Sequence, residues 1–193
     1  MTDFENLRQQ ILNCRLCRDR FGFEPRPFFW GSARSKIFQV SQAPSLKVHL
    51  SGKPFDDASG RRLLQWYDID AETFYNTDNF YITALSHCYP GKNSQGTDKS
   101  PGIYCAHQWM EKEMKAVENK LYIIIGSQAA KYFFPEIKFD FLVFHDMTLN
   151  NKPAIVVPHP SPLNFRWLKT HPEFIEKRLP QIRLQIKQEL GIK

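Results

Sequence analysis

Four short apolar runs punctuate the chain at wide intervals: residues 36–41 (KIFQVS), 79–84 (NFYITA), 121–126 (LYIIIG) and 153–158 (PAIVVP). Each is too short for a typical helix and rich in β-branched or aromatic residues, which predicts buried strands. Between them the period lengthens. Residues 59–67 and 102–118 read as helices, the second with Ala106, Met110, Met114, Val117 and Leu121 along one face. Residues 127–134 predict a third helix, and Phe4, Leu7 and Ile11 a short one at the N-terminus. Strands alternating with helices imply right-handed crossovers. The expected fold is therefore α/β: a three-layer α/β/α sandwich around a mostly parallel, four-stranded sheet.

The remaining segments are less regular. Residues 139–144 predict a short strand or hairpin, and Thr170-His-Pro-Glu173 has the form of a helix capping box. Ile175, Leu179, Ile182, Ile186 and Leu190 share the face of a final helix, which Pro180 must kink or divide. In a parallel sheet, chemistry collects beyond the carboxyl ends of the strands. Three runs lead there into distinctive segments, Gln42-Ala-Pro-Ser, Ser86-His-Cys-Tyr-Pro-Gly and His159-Pro-Ser-Pro-Leu-Asn, whereas Gly126-Ser-Gln reads as an ordinary turn.

Composition narrows the class. The chain has 193 residues, 42% of them hydrophobic and 24% charged, the balance of one globular domain spanning residues 1–193. No apolar run suits a membrane span or a signal peptide, so a cytoplasmic monomer is expected. A formal charge of +6 suits an anionic partner, although the basic residues are spread along the chain.

The four cysteines fall into two pairs, Cys14 with Cys17 and Cys88 with Cys105. In a reducing compartment this pattern reads as soft metal ligands stapling the N-terminal segment, not as disulfides. Cys14 follows a helix, which argues against a thioredoxin-like motif. Spacing leaves zinc and an iron–sulfur cluster both open. Four thiolates on a +2 centre would lower the formal charge from +6 to +4.

Taken together, Gln42-Ala43-Pro44-Ser45, Gly52-Lys53-Pro54-Phe55, Cys88-Tyr89-Pro90, Cys105 and His159-Pro160-Ser161 resemble, in order and spacing, the motifs of the iron–sulfur uracil-DNA glycosylases. The resemblance runs from Cys14 to about Asn164, and His159-Pro-Ser-Pro-Leu-Asn also resembles the last motif of the single-strand-selective branch. It implies a [4Fe–4S] cluster on Cys14, Cys17, Cys88 and Cys105, and damaged or single-stranded DNA as partner. It also implies hydrolysis of the N-glycosidic bond of uracil or another deaminated base. Such an enzyme extrudes the base and stabilises the charge left on it. The resemblance casts His159 and Gln42 as catalytic, with His159 the donor to the departing base, and Phe55, Ala43, Ala84 and Ser161 as substrate-binding, with Phe55 the stacking platform. Read from the residues alone, Asn164 and Ser161 suit either phosphate contact or the capping of a turn, and Phe165-Arg166-Trp167 suits either a wedge with Arg166 on DNA phosphate or an aromatic anchor before the last helix. Arg61 and Arg62 read as solvated.

Two positions depart from the pattern. Gln42 stands where one branch has a glutamate, and an amide orients water without accepting its proton; Asp56 and Asp57 are the nearest acidic substitutes. Ala84 stands where an asparagine reads the base edge, with Thr83 and Ser86 as possible stand-ins. Altered base preference, or a DNA-binding protein without catalysis, is the expected consequence.

Overall fold

The computed structural model describes residues 2–192. In chain order its elements are α1 (Asp3–Leu12), α2 (Arg18–Phe21), β1 (Ile37–Ser41), α3 (Leu46–Ser51), α4 (Ala58–Tyr67), α5 (Ala71–Tyr75), β2 (Phe80–Ala84), α6 (Tyr104–Ala116), β3 (Leu121–Ile125), α7 (Gly126–Phe133), α8 (Phe139–Phe144), β4 (Met147–Leu149), β5 (Lys152–Val157), α9 (Phe165–Thr170) and α10 (Leu179–Leu190). The strands form one sheet in the order β2-β1-β3-β5-β4. β2, β1, β3 and β5 are mutually parallel, and every residue of β1, β2 and β3 is buried.

Helices cover both faces, as the α/β reading requires. Because β1 to β2 and β2 to β3 step across the sheet in opposite directions, right-handed crossovers place α4 and α6 on opposite faces. Side chains report the same split. Tyr67 of α4 donates its hydroxyl to Gln39 of β1 over 2.8 Å, while Tyr81 and Thr83 of β2 donate to Glu113 of α6 over 2.8 and 2.9 Å. α10 closes over α4, where the Arg183 guanidinium donates to the carbonyls of Trp66 and Gln65, each over 2.9 Å. On the α6 side, Leu7 and Ile11 of α1 bury themselves with Cys105 and Trp109 in a small core of their own.

The sheet has five strands, not the expected four. The extra one, β4, runs antiparallel to β5 and is joined to it through Asn150 and Asn151, whose φ angles of 50° and 60° are those of a tight hairpin turn. Residues 139–144 form α8 and no strand. An apolar run of six fits either period, and here Leu142 and Val143 turn inward while the His145 ring stacks on Phe141 one turn earlier.

The C-terminal region also differs from its expected pattern. No capping box forms at Thr170, whose hydroxyl bonds to the carbonyls of Arg166 and Trp167 as part of α9. A π-helical turn spans Phe174–Arg178 and runs without a break into α10, and its wider turn accommodates Pro180, which has no N–H to donate. The wider turn shifts the inward face by one residue. Phe174 is consequently buried and Ile175 exposed, while Leu179, Ile182, Ile186 and Leu190 face the core as expected.

Candidate active site

The carboxyl ends of β1 and β5 open into a cleft of about 600 Å3. Gln42, Ala43, Phe55, His159 and Ser161 all line it. Each reaches the cleft through a local constraint. Ser45 caps α3 by accepting the Val48 N–H, and Gly52 ends that helix with a φ of 72°. The chain then turns through Phe55, itself left-handed at φ 55°. The Phe55 carbonyl lies where any side chain at Gly60 would begin, 1.6 Å from an ideal Cβ, so α4 can pass only as glycine. The Phe55 ring meets Phe74 edge-on, with centroids 6.2 Å apart.

His159 is the most constrained group. Its Nδ1 accepts the Ser161 N–H over 3.1 Å. The neutral ring must therefore carry its proton on Nε2. Burial holds the imidazole below the ordinary histidine range, and the Asp57 charge offsets this in part. The loop around it is tied down: Asn164 donates to the His159 carbonyl over 3.1 Å, and Arg62 donates to the carbonyls of Pro160 and Ser161 over 3.3 and 3.1 Å. Gly126, at φ 84°, packs under the ring, its Cβ position 3.5 Å from that of His159.

Several sequence-predicted residues are placed otherwise. Ala84 is 1% exposed and is absent from the cleft wall, and it pairs with Ser41 across the sheet. Thr83 donates to Glu113 of α6, and the Ser86 hydroxyl donates to the Cys88 carbonyl. Asn164 and Arg166 lie outside the cleft lining, and the Asn164 amide holds the His159 loop. Arg62, read as solvated, does the same. Trp167 has the contacts of an aromatic anchor: it stacks on His171 at 4.3 Å, packs against Phe144 and Phe174, and donates to Asp140. The exposed apolar residues here are Leu163, 88% exposed on the cleft rim, and Phe165.

Residues 91–101 supply a wall that the sequence reading missed. Lys92 bridges Asp98 in a small hairpin, and Thr97, Asp98 and Lys99 line the cleft. Gly91 and Gly96, both with positive φ, were the available signal. Phe28 also lines the cleft, and it connects to a buried network. Its carbonyl faces His87 Nδ1 at 3.2 Å, and His87 Nε2 faces Glu113 at 3.1 Å. Burial opposes a charge on His87, but the Glu113 carboxyl and the Phe28 carbonyl outweigh it and raise the imidazole above the ordinary histidine range; Glu113 is itself fully buried.

That network borders the cysteines. Cys14 and Cys17 sit between α1 and α2, Cys88 follows β2, and Cys105 opens α6. Arg15 and Arg18 both clamp Glu24, which fixes the first pair's loop. All four are free thiols, and Cys17, Cys88 and Cys105 are buried. Burial pushes these three thiols up, Cys105 to about 12, and the other cysteines push the same way. The His87 N–H approaches Cys105 Sγ at 3.5 Å, and Tyr104 bonds to Cys17. Among the described residues, no three His, Cys, Asp or Glu side chains gather round a single ion. Nor is any described helix long and apolar enough to cross a membrane.

Comparison with known proteins supplies a second line of evidence. The sequence profile of the uracil DNA glycosylase superfamily matches residues 28–183. A Type-4 uracil-DNA glycosylase of Archaeoglobus fulgidus is 23% identical over 137 residues, 69% of this chain and 65% of that relative. The chain thus matches just under two thirds of the relative's length.

Proposed function

Since the chain belongs to the uracil DNA glycosylase superfamily, we propose that it is a monofunctional DNA glycosylase of base excision repair, removing uracil or another deaminated base. The observation that carries this reading is the fixed tautomer of His159. A neutral imidazole with its proton on Nε2 is a preorganised donor, suited to the negative charge that grows on a base as its bond to the sugar breaks. Phe55 offers the extruded base a flat face, and Gln42 and Ala43 close the pocket beside it. Leu163, exposed at the rim, suits the space that a flipped base vacates. No lysine is assigned as nucleophile, so no strand cleavage is expected.

Cys14, Cys17, Cys88 and Cys105 would hold a [4Fe–4S] cluster. Burial and the neighbouring thiols oppose ionisation of Cys17, Cys88 and Cys105, and a cationic centre reverses that penalty. Soft thiolates suit an iron–sulfur cluster and zinc alike, and the resemblance to the iron–sulfur glycosylases favours the cluster. When bound, the cluster would staple α1 and α2 to the sheet and offer a redox-active group near DNA.

The neutral Gln42 and the buried Ala84 favour a second reading, a DNA-binding protein on the same fold with altered or lost catalysis. One experiment separates the two. Labelled oligonucleotides bearing uracil, hypoxanthine or xanthine, single- and double-stranded, are incubated with the protein and scored for abasic sites. Release of any of these bases supports the enzyme; binding without release supports the alternative.

A further inference from the structure

We propose that a hollow beside the cleft, lined by Arg26, His49 and Ser51, is an anion site that takes a backbone phosphate of the bound DNA strand. This rests on the DNA-glycosylase reading above and extends it to a stretch of strand outside the base pocket.

The hollow measures about 170 Å3 and lies between Arg26-Pro-Phe28 and the end of α3. Phe28 and Val48 line both it and the cleft, so the two share a wall. No Asp or Glu is among its lining residues. Neighbouring charges are committed elsewhere: Arg15 and Arg18 grip Glu24, Lys47 pairs with Asp56 at 3.3 Å, and Lys53 lies over the Tyr75 ring at 4.2 Å. Arg26 is exposed and enters no ion pair or hydrogen bond among the described residues.

His49 is held by rings instead of hydrogen bonds. Phe23 meets it edge-on with centroids 5.7 Å apart, and the Tyr89 ring lies 5.9 Å away. Its Nδ1 is covered and has no partner. An orphaned N–H is rarer in a covered position than an orphaned acceptor, which puts the proton of the neutral ring on Nε2, the accessible nitrogen. Burial and the Arg26 charge both hold this imidazole below the ordinary histidine range. Ser51 accepts the Lys53 N–H over 3.1 Å, which leaves its hydroxyl proton to give.

A guanidinium fork, a neutral N–H and a hydroxyl form the donor set for a phosphodiester, which carries one negative charge and only accepts hydrogen bonds. The carboxyl end of α3 opposes an anion here, but its Val48 carbonyl is already taken by the Gly52 N–H. A full charge on Arg26 outweighs the half charge, at most, that a helix end of about this kind presents.

Binding alone tests the site. An oligonucleotide with one tetrahydrofuran abasic site, free and in duplex, is titrated with a neutral methylphosphonate at each phosphate in turn. One position near the abasic site should weaken binding about tenfold, the worth of one charge-assisted contact. Arg26→Gln should weaken binding of the unmodified oligonucleotide by a similar factor, with an unchanged urea midpoint. It should also lower the slope of log affinity against log salt by about 0.7–0.9 and make that one methylphosphonate harmless. The His49 ring resonances should shift with the oligonucleotide and stay in place once that phosphate is neutral. Additive losses for Arg26→Gln and every methylphosphonate would overturn the assignment. A His49 shift with inorganic phosphate, without any methylphosphonate effect, would put a free anion in the hollow and equally overturn it. A coupled phosphate without release of any base would keep the site and sink only the enzyme; base release with no coupled phosphate would sink only the site.

Discussion

The Ser161 N–H donates to His159 Nδ1 over 3.1 Å, and that one bond leaves Nε2 as the donor nitrogen of the ring. Two residues of a Pro-rich loop thus decide the chemistry of the cleft. His159→Ala removes the donor while leaving Phe55 and the basic surface in place. Base release is expected to fall about 10²–10³-fold, with oligonucleotide affinity nearly unchanged. Equal losses in rate and affinity, measured by single turnover and by titration, would make His159 a binding residue instead.

The pH profile follows from the same group. Burial lowers the His159 pKa, so the neutral form persists to lower pH than it would in water. Activity should therefore stay level from pH 8 to about pH 6.5, where an unshifted histidine would be half protonated, and decline only below. A decline that begins above pH 6.5 would contradict a depressed pKa.

Glu113→Gln leaves the shape of α6 intact and strips the charge from a carboxylate that holds Tyr81, Thr83 and His87. A charge on His87, which its raised pKa favours, would then be buried without its partner. Breaking such a pair costs about 3 kcal/mol or more, readable as a lowered urea midpoint. A midpoint within error of the unmodified protein would mean that His87 is neutral.

Cys88→Ser should abolish the broad absorbance near about 400 nm expected of an iron–sulfur centre in anaerobically prepared protein. It should also raise amide exchange at Cys14, Cys17 and the turn between them, because their anchor is gone. Protein that is colourless before substitution, with zinc by metal analysis, would favour the other metal.

Gly60→Ala places a methyl against the Phe55 carbonyl, an overlap that must move backbone. We expect destabilisation of about 1–3 kcal/mol and weaker base release together. Stability lost without any change in release would show that the Phe55 turn does not shape the pocket.

The parallel strands were legible because buried β-branched runs such as Leu121–Ile125 have few other uses. The cleft was legible because Gln42, Phe55 and His159 follow such runs or the turns between them. What stayed hidden was decided by contacts at a distance. The helical state of α8 depends on Leu142 and Val143 finding the core, and the π turn at Phe174 compensates for Pro180 in a way no local period announces. The depth of Ala84 was hidden because its place in the chain says nothing of burial: it lies one residue beyond Thr83, within the sheet. The hairpin at 91–101 is polar throughout, and polar loops give no hint of which wall they will form.

The Phe55 turn has a historical consequence. A left-handed backbone at position 55 swings its carbonyl into the space above position 60, so neither residue can change freely while the other stays. The two should be inherited as a unit. Among relatives that keep an aromatic residue at the first position, glycine should recur five residues later; where one is replaced, the other is released from constraint and should drift.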